Sequence, residues 1–196
     1  MYSKFFKRWI DIVLCLLVCP IVLLVIIVFA PFIYFEDKGS IFYKAKRRGQ
    51  YGTVFNMLKL RTMKVNAPDI RNEDNSTFNS ENDPRVTKVG RVLRKTSLDE
   101  FPQFLNVIKG DMSLIGPRPV MTDKPLSEYD QVRIDRLKVK PGITGLSQAY
   151  YRNSISQEEK MKIDAEYANT VTFVLDIKII FKTLKTVLLK ENIYIE

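Results

Sequence analysis

At 196 residues the chain is long enough for one domain with a real core. Its formal net charge of +9, with a pI near 9.5, leads one to expect an anionic partner: nucleic acid, a phosphorylated ligand or lipid headgroups. It contains no histidine, so an imidazole base is excluded and carboxylates must carry any acid–base chemistry.

The N-terminus, MYSKFFKRWID, mixes aromatic residues with Lys4, Lys7 and Arg8. Ile12 to Phe35 then supplies 24 residues without a formal charge, where about 20 suffice for a helix to span a bilayer. The run is too long for a signal peptide and has no small-residue cleavage site. Cys15 and Cys19 fall inside it at helical spacing and read as small apolar residues rather than a disulfide or metal site. Cations flank both ends, with Lys38, Lys44, Lys46, Arg47 and Arg48 on the far side, and the positive-inside rule draws both to the cytoplasm. Pro20 removes a helical hydrogen bond within the run. The expected topology is therefore a re-entrant helix broken at Pro20, with a single-pass anchor as the alternative.

Gly39 to Val65 carries seven Lys or Arg and no acid. Ile41-Phe42-Tyr43 and Thr53-Val54-Phe55 read as short strands around a turn at Arg48 to Gly52. Such a hairpin suits anionic headgroups or a lipid phosphate, each cation near a membrane contributing about 1 kcal/mol; a solvated basic face is the plainer reading. Asn66 to Pro84 is polar and acidic and reads as a loop without chemistry. Its Asn75-Ser76-Thr77 matches a glycosylation acceptor, which a cytoplasmic loop would not use. Val86 to Lys95 reads as a basic amphipathic helix.

That helix leads into adjacent carboxylates, Asp99 and Glu100. Ser97 and Glu100 have the form of a capping box, and Leu98, Phe101, Leu105 and Ile108 recur at helical spacing to about Lys109. Pro102 fits that start poorly and moves it towards Phe101. The residues alone leave two readings: ordinary helix-start acids, or a carboxylate nucleophile for phosphoryl transfer with cations on either side. Downstream, Gly110 to Ser113 is a turn, and Gly116-Pro117-Arg118-Pro119 a stiff one that holds Arg118 between prolines. Thr122 to Lys140 reads as a charged helical stretch with Tyr129, Val132 and Leu137 inward. Pro141 to Gly145 is a turn followed by a short extended piece. Asp176 to Glu191 places Ile177, Ile180, Phe181, Leu184 and Leu188 on one helical face and Lys178, Lys182 and Lys185 on another. That pattern suits a membrane-interface helix and a core helix equally.

The run SLDEFPQFLNVIKGDMSLIGPRP, from Ser97 to Pro119, resembles the signature of the bacterial sugar transferases, the monotopic phosphoglycosyl transferases. KLRTM at 59–63, KVKPGITGLSQ at 138–148 and FVLDIKIIFKTL at 173–184 extend the resemblance over almost the whole chain. It implies transfer of a sugar-1-phosphate from a nucleotide diphosphate sugar, UDP-linked, to polyprenyl (undecaprenyl) phosphate, through a covalent aspartyl-phosphosugar. Asp99 is then the nucleophile and main Mg²⁺ ligand, and Glu100 a general base or metal helper. Arg94 and Arg118 clamp phosphate, Lys59 and Arg61 face the site, and Arg152 contacts the nucleotide diphosphate. The implied architecture is α+β and predominantly helical, a membrane-associated single domain with interfacial amphipathic helices. Residues 1–38 form the re-entrant membrane helix, and 39–196 the catalytic domain on the cytoplasmic face of a bacterial inner membrane. The chain departs from many members in having Cys19-Pro20 for Ser-Pro, Leu146 for tryptophan and Tyr150-Tyr151 for Asn-Gly. The last two bear on donor specificity. A membrane-anchored nucleotide-sugar hydrolase and a non-enzymatic basic binding domain are the rival readings. No nucleic-acid motif supports a nucleic-acid partner. A homodimer is compatible with the sequence, though no residue argues for one.

Overall fold

A computed structural model describes residues 2–70, 78, 80, 82–152 and 154–189. The Asn75-Ser76-Thr77 motif and the end of the C-terminal stretch at Glu191 lie outside the described residues. The architecture is helical with a few short strands, as expected for an α+β chain.

After a π-helical turn at Tyr2–Phe6, α1 runs from Lys7–Asp37. The expected break at Pro20 is not found: helical structure continues through both Pro20 and Pro31. A proline deletes one backbone hydrogen bond, and the turns on either side keep theirs. The helix ends at Lys38, whose left-handed conformation (φ 55°) returns its amide to the Tyr34 carbonyl at 2.6 Å. Asp11, Cys15, Val22 and Ile33 are buried along one stripe of α1, while Trp9, Leu17, Leu24, Ile27 and Phe35 are exposed.

Both ends of α1 are tied to the same protein body. Near the start, Arg8 donates to the Val107 and Ile108 carbonyls at 2.5 and 2.9 Å, and Lys7 pairs with Asp176 at 2.6 Å. At the far end, Glu36 accepts from the Lys88 and Val89 amides, and Asp37 takes both terminal nitrogens of Arg61 at 2.6 Å.

Strands β1 (Phe42–Arg48) and β2 (Val54–Leu60) form an antiparallel hairpin longer than the three-residue strands expected from sequence. The register explains the extension. Ala45 pairs with Met57 and Arg47 with Phe55 on the inward face, so pairing continues while Lys44 and Lys46 alternate to solvent. Helix α2 (Lys88–Thr96) is capped by Thr87, whose hydroxyl accepts from the Gly90 amide at 2.9 Å. Gly90 is required here, because a Cβ would lie 2.1 Å from the Thr62 carbonyl oxygen.

The capping box expected at Ser97 does not form. Ser97 adopts a left-handed conformation (φ 58°) that closes α2, a 3-10 turn covers Leu98–Glu100, and α3 spans only Gln103–Lys109. Pro102 sits at the cap of α3, where its missing N–H costs nothing.

Parallel strands β3 (Ser113–Ile115) and β4 (Gly142–Thr144) bring the Gly116–Pro119 turn beside the Pro141–Gly145 segment. Their closeness needs glycine: a Cβ on Gly116 would lie 2.3 Å from the Lys140 carbonyl oxygen. Between them, the stretch expected to be helical from Thr122 to Lys140 yields only a 3-10 turn and α4 (Gln131–Arg136). Pro125 lies outside αR, and Asp130 starts α4 by accepting from the Arg133 amide. Helices α5 (Leu146–Tyr150), α6 (Gln157–Asn169) and α7 (Phe173–Leu188) follow among the described residues.

The core is built in three patches. Cys15 joins Ala45, Phe55, Met57, Val107 and Met112. Ile33 packs with Leu60 and Leu93, and Ile115 with Ala149, Tyr167 and Ile179. On α7 the inward residues are Asp176, Ile179 and Thr186, whereas Phe173, Val174, Ile177, Phe181 and Leu184 are exposed. The apolar face read from sequence is thus mainly the outer one.

Candidate active site

Lys59 follows Phe55 and Met57 on the inward face of β2, so strand alternation carries its ammonium under the 3-10 turn. There it donates to Glu100 Oε1 at 2.6 Å and lies 3.9 Å from Asp99 Oδ2. Asp99 is buried, at 9% exposure. Burial pushes its carboxyl up to about 6 against the opposing pull of Lys59, with Glu100 adding to the rise and Arg94 resisting it. Glu100 goes the other way. Burial raises it, but Lys59, Arg118 and Arg152 together hold it down at about 2. Two adjacent carboxylates are thereby driven apart, one basic and one firmly ionised.

Arg118 projects from the turn between Pro117 and Pro119 into a cleft it shares with Lys59, Glu100, Arg47, Gln103 and Gln148. Arg94, in the last turn of α2, donates from Nε to Thr62 Oγ1 at 3.0 Å and acts on Asp99. Arg152, in a left-handed backbone conformation (φ 44°) after α5, acts on Glu100. The structure therefore gathers Asp99, Glu100, Lys59, Arg94, Arg118 and Arg152 around one acidic pair.

Arg61 is not gathered with them. Its guanidinium is taken up by Asp37 and by the Ser40, Ile33 and Met63 carbonyls. It is two residues from Lys59, but β2 ends at Leu60, so the alternation that would aim it into the cleft has stopped. Pro20 lies in α1 and takes no part in the cleft.

Arg47, Gln103 and Gln148 line the cleft and were not singled out from sequence. Arg47 was findable, since it stands two residues from buried Ala45 in the longer β1. The side-chain oxygen of Gln148, Oε1, is buried without a protein partner.

Among the described residues no cluster of three or more His, Cys, Asp or Glu could enclose a metal. The donors present, Asp99 and Glu100, are hard oxygens, and that set fits Mg²⁺, which keeps several waters and leans on substrate phosphates rather than a protein cage.

Comparison with known proteins decides the family. The sequence profile described as "Bacterial sugar transferase" matches residues 2–190. The chain belongs to the bacterial sugar transferase family. Among its relatives, the exopolysaccharide production protein ExoY of Rhizobium meliloti is 40% identical, over 96% of this chain and 88% of its own length. The undecaprenyl-phosphate galactose phosphotransferase of Salmonella typhimurium is 39% identical over 98% of this chain. The UDP-glucose:undecaprenyl-phosphate glucose-1-phosphate transferase of Escherichia coli is 38% identical over 92% of it. The match covers only 42% and 40% of those two proteins. The chain likewise spans 43% and 42% of its Haemophilus influenzae and Streptococcus agalactiae relatives.

Proposed function

We propose that this protein transfers a sugar-1-phosphate from a nucleotide diphosphate sugar, UDP-linked, to polyprenyl phosphate at a membrane surface. The observation that carries the reading is Asp99, a buried carboxylate of raised basicity, set among Lys59, Arg94 and the cleft's other cations. The names of the Salmonella and Escherichia coli relatives support an undecaprenyl phosphate acceptor.

In the first step an Asp99 carboxylate oxygen attacks the sugar-bearing phosphorus. The bond from that phosphorus to the bridging oxygen breaks, and the nucleoside monophosphate leaves with the electron pair. In the second step a phosphate oxygen of the polyprenyl phosphate attacks the same phosphorus, giving polyprenyl diphosphate sugar and restoring the Asp99 carboxylate. Both attacking groups are already anions, so neither step requires a base to remove a proton. Glu100, held near 2, is a poor base at neutral pH. Its role is to fix Lys59 beside Asp99 and to help hold Mg²⁺ with it. When bound, that ion supplies neutralising charge to the donor's phosphates. Arg94, Arg118 and Arg152 stabilise phosphate charge in a site where water is partly excluded.

A membrane placement is supported by α1. At about 1.5 Å per residue its 31 residues extend roughly 46 Å, more than the ~30 Å hydrocarbon core. Its two ends nonetheless grip one protein body, which a simple span cannot satisfy. A monotopic arrangement does, with the exposed face of α1 in lipid and the outer face of α7 at the interface beside it. Tyr2 and Phe173, whose rings meet edge-on at 5.6 Å, join these two apolar surfaces.

The test is product analysis with labelled UDP-sugars, with and without undecaprenyl phosphate. Lipid-linked label that requires the acceptor and is lost in Asp99→Asn supports the proposal. Release of free sugar phosphate regardless of acceptor would make the protein a hydrolase instead.

A further inference from the structure

Away from the acidic pair, a second polar group is sealed into the fold. Arg136 of α4, Asp164 of α6 and Ser147 of α5 are 6%, 1% and 2% exposed. Arg136 Nη2 donates to Asp164 Oδ2 at 2.9 Å and also to the backbone carbonyl of Arg118 at 3.0 Å. The other Asp164 oxygen, Oδ1, accepts from Ser147 Oγ at 2.6 Å. One buried carboxylate thus reaches both walls of the cleft. Through Arg136 it fixes the turn that carries Arg118, and through Ser147 it fixes the helix on which the next residue, Gln148, lines the cleft.

A buried ion pair is an expensive way to obtain stability, because its desolvation offsets much of its attraction, and apolar residues of similar volume often serve as well. What such a pair supplies that packing does not is a directional constraint on its neighbours. Prolines on both sides fix their own φ around Arg118, and the Pro117 carbonyl accepts from the Gly142 amide at 3.0 Å, which ties the turn to β4. Arg136 ties Arg118 itself to α4 and, through Asp164, to the opposite wall.

We infer that Asp164, with Arg136 and Ser147, is a positioning device that sets Arg118 and Gln148 against each other across the cleft for the donor's phosphates. The inference rests on the transferase reading for what occupies the cleft. Asp164 touches no substrate. It acts through the Arg118 carbonyl, so its removal and the loss of the Arg118 side chain damage the same interaction.

A double-mutant cycle tests this. Calorimetric titration of UDP into the detergent-solubilised full chain is compared for wild type, Arg118→Ala, Asp164→Asn and the double variant, with thermal midpoints alongside. Each single change is expected to weaken binding about tenfold, the loss of one charge-assisted contact, and the double variant about tenfold rather than a hundredfold. Ser147→Ala, which keeps the ion pair, covers the case in which Asp164→Asn does not fold. It is expected to weaken UDP binding less than Asp164→Asn, with Ser147→Thr restoring it. Losses that multiply in the double variant would overturn the inference, as would an Asp164→Asn protein that melts earlier yet binds UDP like wild type. Transfer by the wild-type protein to undecaprenyl phosphate is measured separately. Failure there, with the coupling intact, rejects the transferase reading and leaves the positioning device standing.

Discussion

The chemistry proposed here depends on how one residue pair divides its protons. Asp99 must be ionised to attack, and its folded-state value is raised to about 6. In the metal-free protein a titration followed by NMR is expected to find Asp99 near 6. Mg²⁺ held by the same carboxylate lowers that value, so adduct formation should be flat above pH 6, with an acid limb of tenfold per unit below it. The sign for stability is opposite. A carboxyl with a raised folded value binds its proton more tightly when folded, so it favours folding at low pH, and that contribution disappears as pH rises through about 6. Asp99→Asn should accordingly abolish transfer while melting no lower than wild type at pH 8, a separation of activity from stability. Lys59 opposes the rise at Asp99 and holds Glu100 down. Lys59→Met should raise the Asp99 value in the metal-free protein above 6, and an unmoved value would mean that Lys59 does not govern the pair.

At the scale of elements, the sequence was legible where one local rule operated alone. The basic helix before the acidic pair, the Pro-Arg-Pro turn and the long apolar helix are all in place. It misled where two rules competed. Ser97 and Glu100 satisfy the capping-box spacing, but Pro102 requires its own helix start, and Ser97 ends α2 in a left-handed turn instead. A capping box does form at Ser156 and Glu159, opening α6. Arg61 illustrates the limit at the site. Its neighbour Lys59 enters the cleft, while Arg61, just past the strand end, clamps the end of α1 through Asp37. Nothing local in KLRTM separates these two cations, because the partner that decides is 24 residues away. Arg61→Ala is expected to cost about 1–3 kcal/mol of stability, the range for hydrogen bonds to charged groups and a partly exposed pair. UDP binding by the folded protein should stay within about twofold of wild type. A large loss of binding without loss of stability would return Arg61 to the site. The Arg136–Asp164–Ser147 group was equally illegible, since its members come from three helices and no local spacing in the stretches that hold Arg136 and Ser147 points to Asp164.

For the molecule as a whole, the proposed monotopic placement requires both ends of α1 to lie on one side of the membrane. In a background without Cys15 and Cys19, single cysteines at the exposed Ser3 and Ser40 positions should react with a membrane-impermeant reagent from the same side of proteoliposomes. Labelling from opposite sides would establish a span and require the contacts of Arg8 or Asp37 to be broken in the membrane. Net charge of +9 adds an expectation about lipid: binding to vesicles should strengthen with anionic lipid content and weaken with salt.

The most direct test of the central claim is intact-mass spectrometry of the detergent-purified protein after brief incubation with Mg²⁺ and a panel of UDP-sugars. An adduct of one phosphosugar is expected on the wild-type chain, absent in Asp99→Asn and discharged by adding undecaprenyl phosphate. Lipid-linked product formed at full rate with no adduct at any time, or an adduct that persists in Asp99→Asn, would contradict that claim.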